Sequence, residues 1–331
     1  MTGMARQSSP SSPLAGVVSL LGGDLQAVEE VLNREVCGRL PVIDEMARQS
    51  CLAGGKRLRP ILLLLTARTV GSVQPVHLTL AAALEMIHAA TLVHDDILDA
   101  ADERRHRPTI NASWDNHRAV LFGDFLFTHA FFLASTTGEA AACQTIGQAT
   151  NLVCEGELQQ GRSVWNFDIP VNTYFQIIGK KTAALCGCAT RLGAEYAPTG
   201  PDEYRTWESM GYNLGLAFQI VDDILDFQGD PADCGKTLGT DLATGKPTLP
   251  VLLALEGESA AGKAAWKKKL LDRLTTRDEV NVWLQESQAM ERAWAEARSR
   301  VDQALAVTGR YDNQHARAFQ GLGEFLLHRN H

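Results

Sequence analysis

Apolar residues recur along this chain at helical spacing, and no stretch alternates in the way a half-buried strand would. Ala-, Leu- and Glu-rich segments predict helices at 25–40, 42–52, 58–70, 76–101, 114–136, 139–163, 172–197 and 202–228. Four or five more are expected between 248 and 329. Pro41, Gly54-Gly55, Gly71, Pro75, Pro108, Gly138, Pro170, Pro198 and Pro201 fall between the segments and set their ends. Segments 81–99 and 210–228 are apolar nearly all round, the mark of helices at the centre of a bundle. The expected fold class is therefore all-α.

Both central segments end in the same five residues, Asp-Asp-Ile-Leu-Asp, at 95–99 and 222–226. Asp95 and Asp99 stack on one helix face with Asp96 beside them; Asp222, Asp226 and Asp223 repeat the arrangement. Carboxylates at the ends of apolar helices are costly to bury unless something neutralises them. Hard oxygen donors in two facing clusters suit Mg²⁺ that is also held by substrate phosphates. Two solvated acidic helix ends are the plain alternative.

Composition narrows the partners. The 331 residues are 45% hydrophobic and 21% charged, enough for a large core. Lys plus Arg number 31 against 39 Asp plus Glu, a formal charge of −8, so a nucleic-acid partner is not expected. The seven cysteines fit neither a disulfide framework nor a zinc motif, which points to a reducing cytoplasm. The longest apolar run, Ile61 to Leu65, is too short to cross a bilayer. Residues 1–15 read as a Ser/Pro-rich disordered tail ahead of one domain, 16–331.

An acidic protein that handles anions must gather its cations locally. Gly54-Gly55-Lys56-Arg57-Leu58-Arg59-Pro60 places three of them on a glycine turn at a helix start, either a phosphate site or a solvated basic turn. Arg104-Arg105 follow the first acidic cluster, and Lys180-Lys181-Thr182 interrupt an apolar helix. Gln219 lies one turn before Asp222. Residues 227–250, rich in Gly, Pro and Thr, carry Lys236 and Lys246 and read as a loop covering phosphates.

At these residues the chain resembles the trans-isoprenyl diphosphate synthases, and among them the long-chain polyprenyl diphosphate synthases. The likeness rests on GGKRLRP at 54–60, EMIHAATLVHDDILD at 85–99 with its following Arg pair, and FGDFLF at 122–127. It continues through KTA at 181–183, FQIVDDILDF at 218–227 and GKTLGTDLATGKPTLP at 235–250. The resemblance implies an isoprenoid-synthase bundle around a large central cavity, a homodimer, and three Mg²⁺ in the substrate complex. Asp95 and Asp99 would hold two of these and Asp222 would help hold the third, with Asp96, Asp223 and Asp226 counted in the same clusters. An allylic diphosphate would lie against Arg104, Lys181, Thr182 and Gln219, with Lys236 and Lys246 near its phosphates. Isopentenyl diphosphate would sit on Lys56, Arg59, His88 and Arg105, with Arg57 in the same turn. His106 and Asp115 stand where relatives often carry Gly.

The implied reaction is ionisation of the allylic diphosphate, attack by the isopentenyl double bond and loss of a proton, in a cavity that excludes water. Ala90 and Thr91, small residues five and four positions before Asp95, leave the cavity floor open for a long quinone-type chain. Phe125, Phe131 and Phe132 are candidate stoppers, or ordinary core. A geranylgeranyl-type synthase is the main alternative; a class I terpene cyclase and a non-catalytic synthase subunit are weaker ones. Product release by transient membrane contact is compatible with the sequence, which shows no amphipathic anchor.

Overall fold

The computed structural model describes residues 13–104, 107–197, 201–229 and 239–328. It is built almost wholly from helices. At the N-terminal side are α1 (Pro13–Leu20), α2 (Gly22–Val36), α3 (Pro41–Gln49) and α4 (Leu58–Val70). The long α5 (Pro75–Leu98) follows, then α6 (Ile110–Ser113), α7 (Asn116–Ser135), α8 (Ala140–Ser163) and α9 (Val171–Ile178). A π-helical turn at Gly179–Ala183 leads into α10 (Ala184–Glu195), and α11 (Pro201–Gln228) is the longest helix. The chain finishes with α12 (Thr240–Thr244), α13 (Leu249–Gly257), α14 (Ala260–Leu271), α15 (Arg277–Glu286), α16 (Ala289–Thr308) and α17 (Gln314–His328).

The helix ends follow from local chemistry. Pro75 opens α5 behind a reciprocal cap between Gln74 and His77. Asp115 caps α7 by accepting the Arg118 N–H at 2.7 Å, which gives that departure from the family pattern a local purpose. Leu80–Ile87 are all buried, as expected for a central helix. α5 packs mainly on α7, and α11 on α10 and α16. Two clusters of buried side chains result: one around α4, α5, α7 and α10, the other around the C-terminal half of α11 with α9, α13 and α16. The first acidic pentad ends a helix of the first cluster and the second ends a helix of the other, so the site forms where the two cores meet.

Four expectations need correction. The predicted helix 172–197 is broken by the π turn. A two-residue hairpin, β1 (Glu103–Arg104) with β2 (Arg107–Pro108), stands where no strand is predicted. The predicted loop 227–250 contains α12 and the start of α13, while 230–238 lie outside the described residues. Most of the expected tail also lies outside them, and helix already begins at Pro13. Both α5 and α7 are long and apolar enough to cross a membrane by length and composition alone; α5 is 67% buried and ends in the acidic cluster, as a core helix does.

Candidate active site

The first cluster divides by direction. Asp96 is buried and turned to the β1 hairpin, where Arg104 Nε donates to its Oδ1 at 2.8 Å. Asp95 and Asp99, one turn apart, meet lysines from other elements. The Lys181 ammonium lies 3.8 Å from Asp95, donates to Gln160 Oε1 at 2.8 Å and pairs with Glu157. Lys246 donates to Asp99 at 3.2 Å.

On α11 the second cluster divides as well. Asp223 is buried and accepts the Tyr174 hydroxyl at 2.7 Å and the Gln219 amide at 2.9 Å. Thr182 donates to Gln219 Oε1 at 2.8 Å, so a continuous chain of hydrogen bonds joins the π turn to α11. Asp226 is buried and accepts the Thr240 N–H at 3.3 Å, the Thr240 hydroxyl at 3.2 Å and the Asp241 N–H at 3.1 Å. Asp222 is half-buried. Asp96, Asp223 and Asp226 are thus buried and held by protein donors, while Asp95 and Asp99 pair with the two lysines. A helix presents successive positions to different sides, so a pentad cannot aim all its acids one way.

Electrostatics mark the region as crowded with negative charge. Burial pushes the Asp95 carboxyl up to about 6; Lys181 pulls it down, and Glu157 and Asp99 add to the rise. Burial also raises Asp223 far above the carboxylate range, reinforced by Asp241 and opposed by the Tyr174 and Gln219 hydrogen bonds. Burial works against charge on Lys246, yet Asp241, Asp99 and Glu157 outweigh it and make the ammonium harder to deprotonate. Carboxylates held close in low dielectric, balanced by Lys181, Lys246 and Arg104, form a donor set suited to a hard cation. Among the described residues no three acid, His or Cys side chains converge tightly enough to cage an ion alone. That fits Mg²⁺, which keeps water and takes one or two carboxylates together with phosphate oxygens.

The glycine turn shows a second correction. Arg57 takes left-handed backbone angles, φ 49 and ψ 37, and its guanidinium swings inward. It donates to Glu85 at 3.0 Å, Glu29 Oε2 at 2.9 Å and the Cys51 carbonyl at 2.8 Å. Arg57 is therefore a buried tie between α2 and α5, not a substrate contact. Arg59 Nε is buried without a hydrogen-bond partner among the described residues, a donor suited to an anion. Lys56 Nζ stands 5.3 Å over the Phe325 ring of α17. His88 is half-buried on α5, and its carbonyl accepts the Thr91 hydroxyl at 2.8 Å. Arg105, His106 and Lys236 lie outside the described residues.

The cavity at the site measures about 100 Å³ and is lined by Lys181, Thr182, Gln219, Asp223, Asp241 and Lys246 with Tyr174, Ile177 and Ile178. Neither Ala90, fully buried, nor Thr91 borders it. Of the candidate stoppers, Phe132 is 55% exposed on α7 and cannot close an internal tunnel in this position. Sequence reasoning passed over Asp241, Tyr174, Glu157 and Gln160. Asp241 lay in plain view inside GTDLATGKP, and Glu157 and Gln160 are i, i+3 neighbours on α8.

The sequence pattern of the family described as "Polyprenyl synthetase" matches residues 40–286. The chain belongs to this family. As a polyprenyl synthetase it is a prenyltransferase of the trans-prenyl diphosphate synthase type, with the family's all-α fold. Heptaprenyl diphosphate synthase component 2 from Geobacillus stearothermophilus is 38% identical over 293 residues, covering 88% of this chain and 91% of that protein. The crystal structure of a decaprenyl diphosphate synthase from Rhodobacter capsulatus superposes with a TM-score of 0.90 at 33% identity, over 96% of this chain and all of the other. That of a polyprenyl synthase from Caulobacter crescentus CB15, complexed with calcium and isoprenyl diphosphate, gives 0.91 at 31% identity, over 98% of this chain and 100% of that one.

Proposed function

We propose that this polyprenyl synthetase condenses isopentenyl diphosphate with an allylic diphosphate primer, farnesyl or geranyl, to a long all-trans polyprenyl diphosphate for quinone side chains. The observation that carries this reading is a cavity lined by Asp223, Asp241, Lys181 and Lys246, whose two lysines reach Asp95 and Asp99 of the first acidic cluster. Asp95, Asp99 and Asp222 hold the Mg²⁺ ions in this reading, with Asp241 beside them. Bound there, Mg²⁺ supplies charge neutralisation for the departing diphosphate. Lys181 and Lys246 add fixed positive charge where the leaving oxygens develop negative charge. Thr182 and Gln219, locked to Asp223 and Tyr174, hold the π turn and α11 in register so that these charges are in place beforehand. Arg59, with its buried unpaired donor, and Lys56 receive the diphosphate of the isopentenyl unit without metal.

The long-chain assignment draws on the two small residues before Asp95 and on relatives named for seven- and ten-unit products. A homodimer in the cytoplasm completes the proposal. Exposed Leu121 and Phe132 on α7 and Leu158 on α8 offer an apolar face for a second copy, and the described cysteines are free thiols.

Purified protein given Mg²⁺, farnesyl diphosphate and labelled isopentenyl diphosphate is expected to yield a ladder ending near about forty to fifty carbons, each turn of α5 setting about one unit. A stop at twenty carbons would replace this reading with a geranylgeranyl-type synthase. A cyclic hydrocarbon would point to a cyclase, and no incorporation to a subunit that needs another protein.

A further inference from the structure

The short segment from Gly239 to Lys246 carries two residues of the cavity, Asp241 and Lys246, and has hardly any core of its own. None of the α12 residues is buried. A five-residue helix with an exposed surface does not hold its place by intrinsic propensity. Something outside it must fix the position of Asp241 and Lys246.

Asp226 on α11 and Trp165 in the turn after α8 grip its ends. At the first end, Asp226 takes three donors from Thr240 and Asp241 with its carboxylate, while its own carbonyl accepts the Gly239 N–H at 3.0 Å. That is the bonding of an N-cap supplied from another helix. Arg277 braces the same joint by donating to the carbonyls of Asp226, Phe227 and Gly229 at 3.2, 2.6 and 2.9 Å. At the other end, the Trp165 backbone N–H donates to the Gly245 carbonyl at 2.8 Å, and its indole packs against Gly245, leaving no room for a Cβ. Gly245 also has φ +71, which an L side chain rarely adopts. The Arg273 guanidinium covers the Trp165 ring at 4.6 Å. Between these grips, Lys246 reaches back to Asp99.

We propose that Asp226 and Trp165 clamp the segment Gly239–Lys246 against the cavity, with Asp226 a positioning residue rather than a metal ligand. The proposal deepens, and rests on, the reading of this cavity as the diphosphate site. It assigns different work to two aspartates of one pentad: Asp222 faces the reacting phosphates, and Asp226 holds the segment that brings Asp241 and Lys246 to them.

Asparagine keeps one acceptor oxygen, enough for the Thr240 donors, but sets its amide N–H against the Asp241 N–H and is a far poorer Mg²⁺ ligand, so Asp226→Asn loosens the clamp only in part while removing any metal ligation. Turnover of D226N is expected within about threefold of the unsubstituted protein, with the Mg²⁺ concentration for half-maximal rate unchanged. D226A and Trp165→Ala are expected to raise KM for the allylic diphosphate by about tenfold, and Trp165→Phe by less. Amide exchange of residues 239–246, measured on the whole protein without substrate, is expected to accelerate by about tenfold in D226A and W165A and by less in D226N. A D226N protein that needs far more Mg²⁺ and loses turnover as Asp222→Asn does would make Asp226 a ligand and overturn the proposal. Unchanged exchange in both D226A and W165A would overturn it too. An active D222N would instead sink the metal reading of the cavity, while the exchange result would still decide the clamp.

Discussion

His77 sits in the first turn of α5 with its Nδ1 accepting the Gln74 backbone N–H at 2.8 Å. That bond requires a neutral ring nitrogen, and burial lowers the imidazole pKa from the usual 6.5 to about 4. Between these two values the unfolded chain binds the proton more readily than the folded one. Stability is therefore full above about pH 6.5 and is lost as the pH falls toward 4, by up to about 3 kcal/mol. Thermal melts across that range are expected to show the loss, and His77→Asn, which keeps an acceptor without titrating, is expected to flatten it. At the same scale, Asp95→Ala and Asp222→Ala are each expected to cut turnover at least about a hundredfold while the circular dichroism of the fold persists. A steady-state assay at saturating Mg²⁺ checks this, and normal rates would remove both residues from the metal site.

At the scale of elements, the contact between α8 and the π turn decides where Lys181 points. A Cβ on Gly156 would lie 2.6 Å from the Lys181 backbone nitrogen and 2.9 Å from Lys180 Cβ, so only glycine lets the two backbones meet. Gly156→Ala is expected to push the turn outward, lowering turnover by about tenfold with a melting temperature only a few degrees lower. Assay and melt together distinguish this from simple unfolding. The helices themselves were legible because their apolar periodicity and their Pro and Gly boundaries are local signals. The π turn was not: one extra residue in a helix leaves composition and period almost unchanged. Nor could a pattern reveal that Asp226 caps a helix fourteen residues ahead, or that Arg57 leaves its turn in a left-handed conformation and joins Glu29 and Glu85. Such pairings depend on which side chains a finished fold brings together. What the repeated pentads did disclose was the neighbourhood of the cavity, since Asp95 and Asp99 pair with Lys181 and Lys246, which line it beside Asp223.

For the whole molecule, the packing of α5 against its neighbours bears on product length. Ala90 is fully buried and Thr91 is half-buried, so Ala90→Phe or Thr91→Phe should block the path along α5 and shorten the product ladder. Mass analysis of the products checks this, and an unchanged ladder would place the tail elsewhere. The apolar face of α7 and α8 carries a matching expectation. Leu121→Glu with Phe132→Glu is expected to turn the proposed dimer into monomers by light scattering, since charges buried against a symmetric copy would find no partner there. The matched family region begins at residue 40, yet structural ties cross that boundary: Glu29 binds Arg57, Asp24 binds Arg68 in a two-pronged pair at 2.8 Å, and Glu35 meets His129 at 3.2 Å. Trimming the chain to its recognisable portion would leave Arg57 leaning on Glu85 and the Cys51 carbonyl, and would strip Arg68 of Asp24. The second helix is thus the backstop that keeps α4 and α5 seated, and damage there should surface as a failing reaction centre some distance away.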